Sequence, residues 1–394
     1  MASVPARQRQ ARVQALSLDT LTQRLSERID ETADLRRLPD ASIQDMKDAG
    51  VFRVLQPARW GGQEATPNTF FDTQRAIARA CASHGWVYGV VGVHAWQLAL
   101  FPLEAQEEVW GDDPDTLISS SYAPTGKVEK VDGGYRLTGR WSFSSGCDHC
   151  DWVFVGGFAP SDGPPDMRTF LVPRRDYTID DTWHTFALRG TGSKDVVMDS
   201  VFVPEHRTHK FSDGFRCKSP GNAHNPAPLY RLPFGQIFVR SVSTTALGIT
   251  EAALAFYRSV TGTKVGASDG SKAAEDPLAQ MTCTRAATAI DRNLLVLTRN
   301  MNELMDAAEQ GEVLSVERRA AMRWDSAQAV EASVDAVDRM FTACGGRALF
   351  TNSPMYRWFC DVHGARAHYA NRPEGPGRNY GRVLLGNKTR DWFI

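Results

Sequence analysis

The sequence predicts an α+β fold in three parts. An N-terminal α-helical domain covers residues 1–115 and a middle β domain, sheet or barrel, covers 116–205; past a long loop at 206–234, a C-terminal four-helix bundle fills 235–394. Three observations predict it. Apolar residues recur at helical spacing before Thr116 and again after Phe234, and short β-rich runs separated by turn residues fill the middle. The chain of 394 residues is also long enough for two or three domains around a buried site.

Along the chain, "DASIQDMKDAG" reads as a short helix closed by Gly50. Thr66 and Pro67 supply an N-cap and a first helical position, and "NTFFDTQRAIARACA" continues with apolar residues at helical spacing. The longest apolar run, Trp86 to Phe101, falls short of the ~20 residues of a membrane span and carries His94 and Gln97, so it reads as a buried helix. From Thr116 the texture changes to "KVEKVDGGYRLTGRWSFSSG", "DWVFVGGF", "RTFLVPRRDYTI" and "KDVVMDSVFVP", a small antiparallel sheet or barrel in which Asp132-Gly133-Gly134 marks a hairpin. Residues 206–234, polar and rich in Pro and Gly, read as a loop over a site rather than as an element. Helical periodicity then returns in three long stretches suited to a bundle.

The charge balance, 45 Lys and Arg against 46 Asp and Glu, leaves no basic excess for nucleic acid or an anionic membrane and points to a small or neutral partner. Seven scattered cysteines, an odd number, predict free thiols rather than a disulfide framework. The opening "MASVPARQRQARVQALSLDTLTQRL" carries no apolar signal core, which predicts a cytoplasmic protein.

Two motifs tempt a metal or nucleotide reading. Cys147, His149 and Cys150 in "CDHC" lack a second ligand pair and fall between strands, so no metal and no redox dithiol is expected. The glycines of "RGTGSKD" match neither GxGxxG nor a P-loop. In "DVHGARAHYANRPEG", His363 and His368 stand five apart; on one helix they would be offset by about 140°, too far round to chelate one ion. His363 is expected to be structural.

An ordered set of stretches resembles the acyl-CoA dehydrogenase superfamily along nearly the whole chain. "LQPARWGGQEATPNTFFDTQRAIARACASHGW" is similar to its first-domain signature, "VDGGYRLTGRWSFSSG" to its flavin-facing β segment, "LRGTGSKDVVMDSVFVP" to the strand pair closing that domain, and "GGRALFTNSPMYRWFCDVHGARAH" to its last bundle helix. Within it, "GVHAWQLALF", "AQEEVWGDDPDTLISSSYAP" and "WSFSSGCDH" resemble the flavin-dependent monooxygenases that hydroxylate phenols, the 3-hydroxy-9,10-secosteroid hydroxylase subgroup above all.

The resemblance implies an oxygenase component that uses reduced FMN, or FAD, and molecular oxygen to hydroxylate a phenol through a flavin C4a-hydroperoxide. It also implies a separate NAD(P)H-dependent flavin reductase and a homotetramer. By the same resemblance His94 and Ser120 hold the phenol, with His94 at an ordinary pKa of ~6.5 taking its proton. His368, expected on the last bundle helix, steers the oxygen. Ser144 or Ser145 meets the flavin N5; Trp86, Arg189, Ser193 and Ser353 stand on the cofactor side. True acyl-CoA dehydrogenases place a catalytic glutamate near the position of Tyr369, where this chain offers His368 and Asn371, with Glu374 close by. Two alternatives stay open at this point: an acyl-CoA dehydrogenase or oxidase with FAD and Glu374 as base, and a catalytically inactive bundle scaffold.

Overall fold

The structure is a computed structural model that describes residues 16–263, 265 and 270–394; residues 1–15, on which most of the signal-peptide expectation rests, lie outside the described residues. Six helices precede the sheets: α1 (Leu18–Glu27), α2 (Ile29–Leu35), α3 (Asp40–Asp48), α4 (Pro67–Ala80), α5 (Ala82–Leu98) and α6 (Leu103–Trp110). Thr66 caps α4 as its sequence predicts, accepting from the Thr69 N–H, and Gly50 turns the chain after α3 at φ 68°. In α5 every residue except Ala95 is buried, so the apolar run is a core helix. Gly89 is what lets it cross α4 and its other neighbour so closely: a Cβ there would lie 2.0 Å from Gln74 Nε2 and 2.8 Å from the Ser241 carbonyl.

The middle of the chain forms β1 (Ile118–Ser121), β2 (Lys127–Val131), β3 (Gly134–Ser144), β4 (Trp152–Ala159), β5 (Asp166–Pro173), β6 (Thr178–Asp180), β7 (Lys194–Pro204) and β8 (Thr208–Lys210). They make two four-stranded sheets, ordered β1-β4-β5-β8 and β2-β3-β7-β6, not a closed barrel. The expectation of a purely antiparallel arrangement is corrected in one pair, since β1 and β4 run parallel. Val128, Leu137, Trp141, Val153, Phe170, Val172 and Val196 fill the space between the sheets, and the Trp141 indole donates across to the Gly156 carbonyl at 2.8 Å. The β2–β3 hairpin turns at Gly133, φ 73°, where the sequence signals it.

The segment expected to be one loop at 206–234 starts instead with β8, which pairs with β5, and a short helix α7 (Phe211–Arg216). The bundle follows: α8 (Phe234–Thr263), α9 (Pro277–Glu309), α10 (Val316–Cys344) and α11 (Pro354–Ala367), with α12 (Glu374–Leu384) laid against α10. One apolar core joins the N-terminal helices to the bundle, so α5 is held between α4, α8 and β1. Among the described residues no helix is long and apolar enough to cross a membrane.

Candidate active site

Trp86, in the first turns of α5, touches two other parts of the fold. Its indole N–H donates to Ser145 Oγ at 3.1 Å, and its ring meets that of His368 edge-on, centroids 5.7 Å apart. Ser145 follows β3, where a bulge puts Phe143 at φ 67° and redirects the strand end. Its hydroxyl shares a hydrogen with Ser193 at 2.6 Å, and Ser193 shares another with Thr191 at 2.6 Å. Ser144 belongs to a separate pair: it donates to Ser119 Oγ on β1 at 3.1 Å. Five hydroxyls thus gather at one end of the sheets, all buried. Ser145 has one lone pair committed to Trp86 and shares a hydrogen with Ser193, whereas Ser144, as a donor to Ser119, keeps acceptor capacity.

His94 sits two turns further along α5, about 12 Å from Trp86 at ~1.5 Å per residue. Its Nδ1–H donates to the Ile118 carbonyl at 2.6 Å, which fixes the tautomer and leaves Nε2 a bare acceptor. That Nε2 is buried with no hydrogen-bond partner. Burial pushes the His94 pKa down to about 4, against a slight opposing pull from the Ile118 carbonyl. The expectation of an ordinary base near 6.5 is therefore corrected: His94 is a neutral hydrogen-bond acceptor throughout the physiological range. Ser120 lies on β1 and meets the hydroxyl of Tyr122, which donates to Gln97 Oε1. The Tyr122 ring stands 6.3 Å from His94 and 4.9 Å from Phe238 of α8, so Tyr122 links Ser120 to His94.

His368 is not on a helix, which corrects the expectation for this segment. α11 ends at Ala367, and His368 is its cap in an extended conformation, φ −61° and ψ 133°. Asn371, fully buried, holds the break by donating to the Ala365 carbonyl at 2.8 Å and across to the Val242 carbonyl of α8 at 3.0 Å. The His368 ring, half-buried, accepts the Ala370 N–H on Nδ1 at 3.2 Å and so carries its proton on Nε2. Burial, helped by the positive charge of Arg323, lowers its pKa to about 4. His94 thus presents an acceptor and His368 a donor, each set by a backbone partner.

The remaining expected residues lie apart. Arg189 has a half-exposed side chain 4.0 Å from Asp34. Ser353 precedes α11 without a side-chain capping bond, at the end of a 14-residue helix opposite His368, about 20 Å away. His363 pairs with Asp338 of α10 at 2.9 Å. Glu374 opens α12 with its side chain largely exposed, 3.9 Å from Arg366, so it supplies no buried base. Cys147 and Cys150 donate to the carbonyls of Gly192 and Gly146, and burial raises both thiol pKa values. Sequence reading missed Thr191, Tyr122 and Ser119, and named Asn371 without finding its role. The run "SSSYAP" carried a signal for two of these, but Asn371 gave none, because its role is a contact with a helix about 130 residues earlier.

Family models for the acyl-CoA dehydrogenase N-terminal and C-terminal domains match residues 7–112 and 241–373. The chain is 42% identical to the oxygenase subunit HsaA, a flavin-dependent monooxygenase of Rhodococcus jostii, over 96% of its own length and 99% of the relative's. It belongs to the acyl-CoA dehydrogenase family, on the flavin-dependent monooxygenase branch. The oxygenase component of an FADH(2)-dependent resorcinol hydroxylase from a Rhizobium species is 34% identical, across 92% of this chain and 91% of that one. The crystal structure of 3-HSA hydroxylase from Rhodococcus sp. RHA1 superposes with a TM-score of 0.92 at 41% identity, covering 96% of this chain and 97% of that one. The acyl-CoA dehydrogenase fold here fits a flavin on its own chemistry. A flat, polar-edged ring needs hydroxyl partners along one edge and aromatic walls, and the five hydroxyls beside Trp86, Phe143 and Trp183 provide both.

Proposed function

We propose that this chain hydroxylates a phenol ortho to its hydroxyl, with a secosteroid-derived or other polycyclic phenol as the preferred class, using reduced FMN delivered in the cytoplasm by a separate NAD(P)H-dependent reductase. The observation that carries the reading is the buried, unpartnered Nε2 of His94. An orphan acceptor in the core costs about 1–3 kcal/mol, and a phenol O–H donating to it restores the bond and pulls electron density toward the ring carbon that is attacked. Ser120, beside Tyr122, is the second hold on that oxygen. Bound reduced flavin supplies activated dioxygen. Ser144 would accept from the reduced ring's N–H, Ser145, Ser193 and Thr191 would hold the polar edge, and Arg189 and Ser353 would serve the phosphate side. His368 donates from Nε2 to the oxygen being transferred, and Trp86 keeps that imidazole in place. The buried aromatic set of Tyr122, Phe238 and Trp86 excludes water, which limits loss of oxygen as peroxide.

The test is a product screen: purified chain, chemically reduced FMN or FAD, oxygen and a panel of phenols, read by mass spectrometry. Catechol formation with at least one phenol is expected, and comparison of the two flavins decides the preference. Anaerobic bleaching of bound FAD by an acyl-CoA, without any hydroxylation, would replace the reading with a dehydrogenase. Failure to bind either flavin would leave a scaffold.

A further inference from the structure

A pocket of about 560 Å³ lies beside Tyr369, between α10, α12 and the C-terminal tail. Four arginines line it: Arg323, Arg378, Arg382 and Arg390, against a single carboxylate, Asp391. Arg323 is the exceptional one. It is 3% exposed, and neither its Nε nor its Nη1 has a hydrogen-bond partner. Asp391 stands 3.7 Å from Nε, outside hydrogen-bond reach, and spends Oδ1 on the Phe393 N–H. Arg378, Arg382 and Arg390 have no carboxylate within ion-pair distance among the described residues, and the Arg382 Nε only donates to the Lys388 carbonyl.

A buried guanidinium whose N–H groups find no acceptor is expensive even with a carboxylate loosely opposite it, because its charge cannot be shed at any ordinary pH. Folding tolerates it where a ligand completes the site. We propose that this pocket binds an oxyanion, a carboxylate or phosphate group, in two-point contact with Arg323 and with Arg378, Arg382 and Arg390 at the rim. The planar guanidinium fork matches two oxygens of such a group, and the excess of three positive charges over the one carboxylate draws it in. Two sources share this chemistry: a free phosphate, or a carboxylate carried on the phenol itself, since Tyr369 forms a wall of the pocket and its ring lies 5.1 Å from that of His368.

Thermal unfolding of the full chain in rising inorganic phosphate, against sodium chloride at matched ionic strength, tests the proposal without any turnover. A saturable rise of about 2 °C is expected for the parent. Arg323→Met should lose the response and, because it gives up only the loose 3.7 Å ion pair with Asp391 and no hydrogen bond from Nε or Nη1, melt close to the phosphate-free parent. Arg378→Ala/Arg382→Ala, on the rim, should weaken the apparent affinity about tenfold and guards against a poorly folded Arg323→Met. A parent indifferent to phosphate, or variants that respond as the parent does, overturn the site. The second arm rests on the hydroxylase reading: a phenol bearing an alkyl carboxylate is compared with its methyl ester in the same unfolding assay and in turnover. A KM at least tenfold lower for the acid, abolished in Arg323→Met, assigns the oxyanion to the substrate, and equal KM values together with the phosphate response assign it to a free anion. Loss of turnover with the phosphate response intact counts against the hydroxylase reading alone.

Discussion

At the scale of single residues the site is built from hydrogen bonds that decide where protons sit. The Ile118 carbonyl takes the Nδ1–H of His94, so Nε2 waits as an acceptor, and burial holds the ring neutral with a pKa of about 4. Changing His94 to Ala should slow single-turnover hydroxylation ~10²–10³-fold, the worth of one well-placed hydrogen bond to a reacting group, while leaving flavin affinity within a factor of a few. Because the ring stays neutral, no loss of rate assignable to His94 should appear between pH 8 and 6; an unchanged rate in the variant would take His94 out of the reaction. Lone-pair accounting also separates the two serines that the sequence alone could not. Ser144→Ala should raise peroxide released per oxygen consumed, by the ~2–4 kcal/mol that one well-placed hydrogen bond is worth at a reacting group. Ser145→Ala, whose oxygen already accepts from Trp86, should chiefly weaken flavin binding; the reverse pattern would reassign them. The motif around Ser144 and Ser145 was legible because both lie in one short stretch, but which hydroxyl has a free lone pair depends on Ser119, Trp86 and Ser193, contributed by three other elements.

Among the elements, the end of α11 shows how far periodicity reaches. Apolar spacing through "FCDVHGARAH" runs on smoothly, and with no glycine or proline at the break a helix through His368 was the natural reading. What stops it is the amide of Asn371 spanning α11 and α8. The same limit explains β8, three residues too short to show alternation, and the parallel β1–β4 pair, joined by contacts that no local pattern encodes. Thr66, Gly50 and the Gly133 hairpin were legible because caps and turns are local chemistry. We propose that the division at 115, 205 and 234 still describes the domains, with β8 added to the sheet it pairs with. Asn371→Ala should strip a capping bond and an interhelical bond at once, lowering stability by ~1–3 kcal/mol in denaturant unfolding. It should also loosen His368, so that oxygen uptake continues with less catechol per oxygen. Unchanged stability and unchanged coupling together would show that Asn371 does not hold the break.

Two expectations belong to the whole molecule. His84, His94 and His209 are buried, and burial lowers their pKa values from 6.5 to about 3, 4 and 4. Below pH 6.5 the unfolded chain takes up protons that the folded chain refuses, so the stability these groups confer is complete above that pH and is lost as pH falls toward 4. Asp361 acts the other way: burial raises its pKa to about 6, so its contribution favours the fold at low pH and fades as pH rises toward 6. With these three groups, joined by His368, against one, the melting temperature should drop between pH 7 and 5, and a flat profile would mean that these imidazoles are not held neutral. The second expectation concerns assembly, where the fold leaves apolar side chains on the bundle exposed among the described residues. Leu278, Met281 and Leu295 of α9 are exposed, as are Leu349 and Phe350 after α10 and Leu385 after α12, while Leu297, Met301 and Leu304 on the inner side of α9 are buried. Each such side chain gains ~1.5–3 kcal/mol when it leaves water, and a stable contact needs on the order of 1,200–2,000 Å² of combined surface, which long antiparallel helices supply readily. Bundles from several copies packed through α9 and the ends of α10 and α12 would cover these residues, and we propose the homotetramer. Light scattering at working concentration should give four times the mass of the chain, and Leu278→Glu/Leu295→Glu should shift it toward smaller species without lowering helix content. A parent that scatters as a monomer would mean that the exposed leucines serve some other contact and that one chain completes the active site alone.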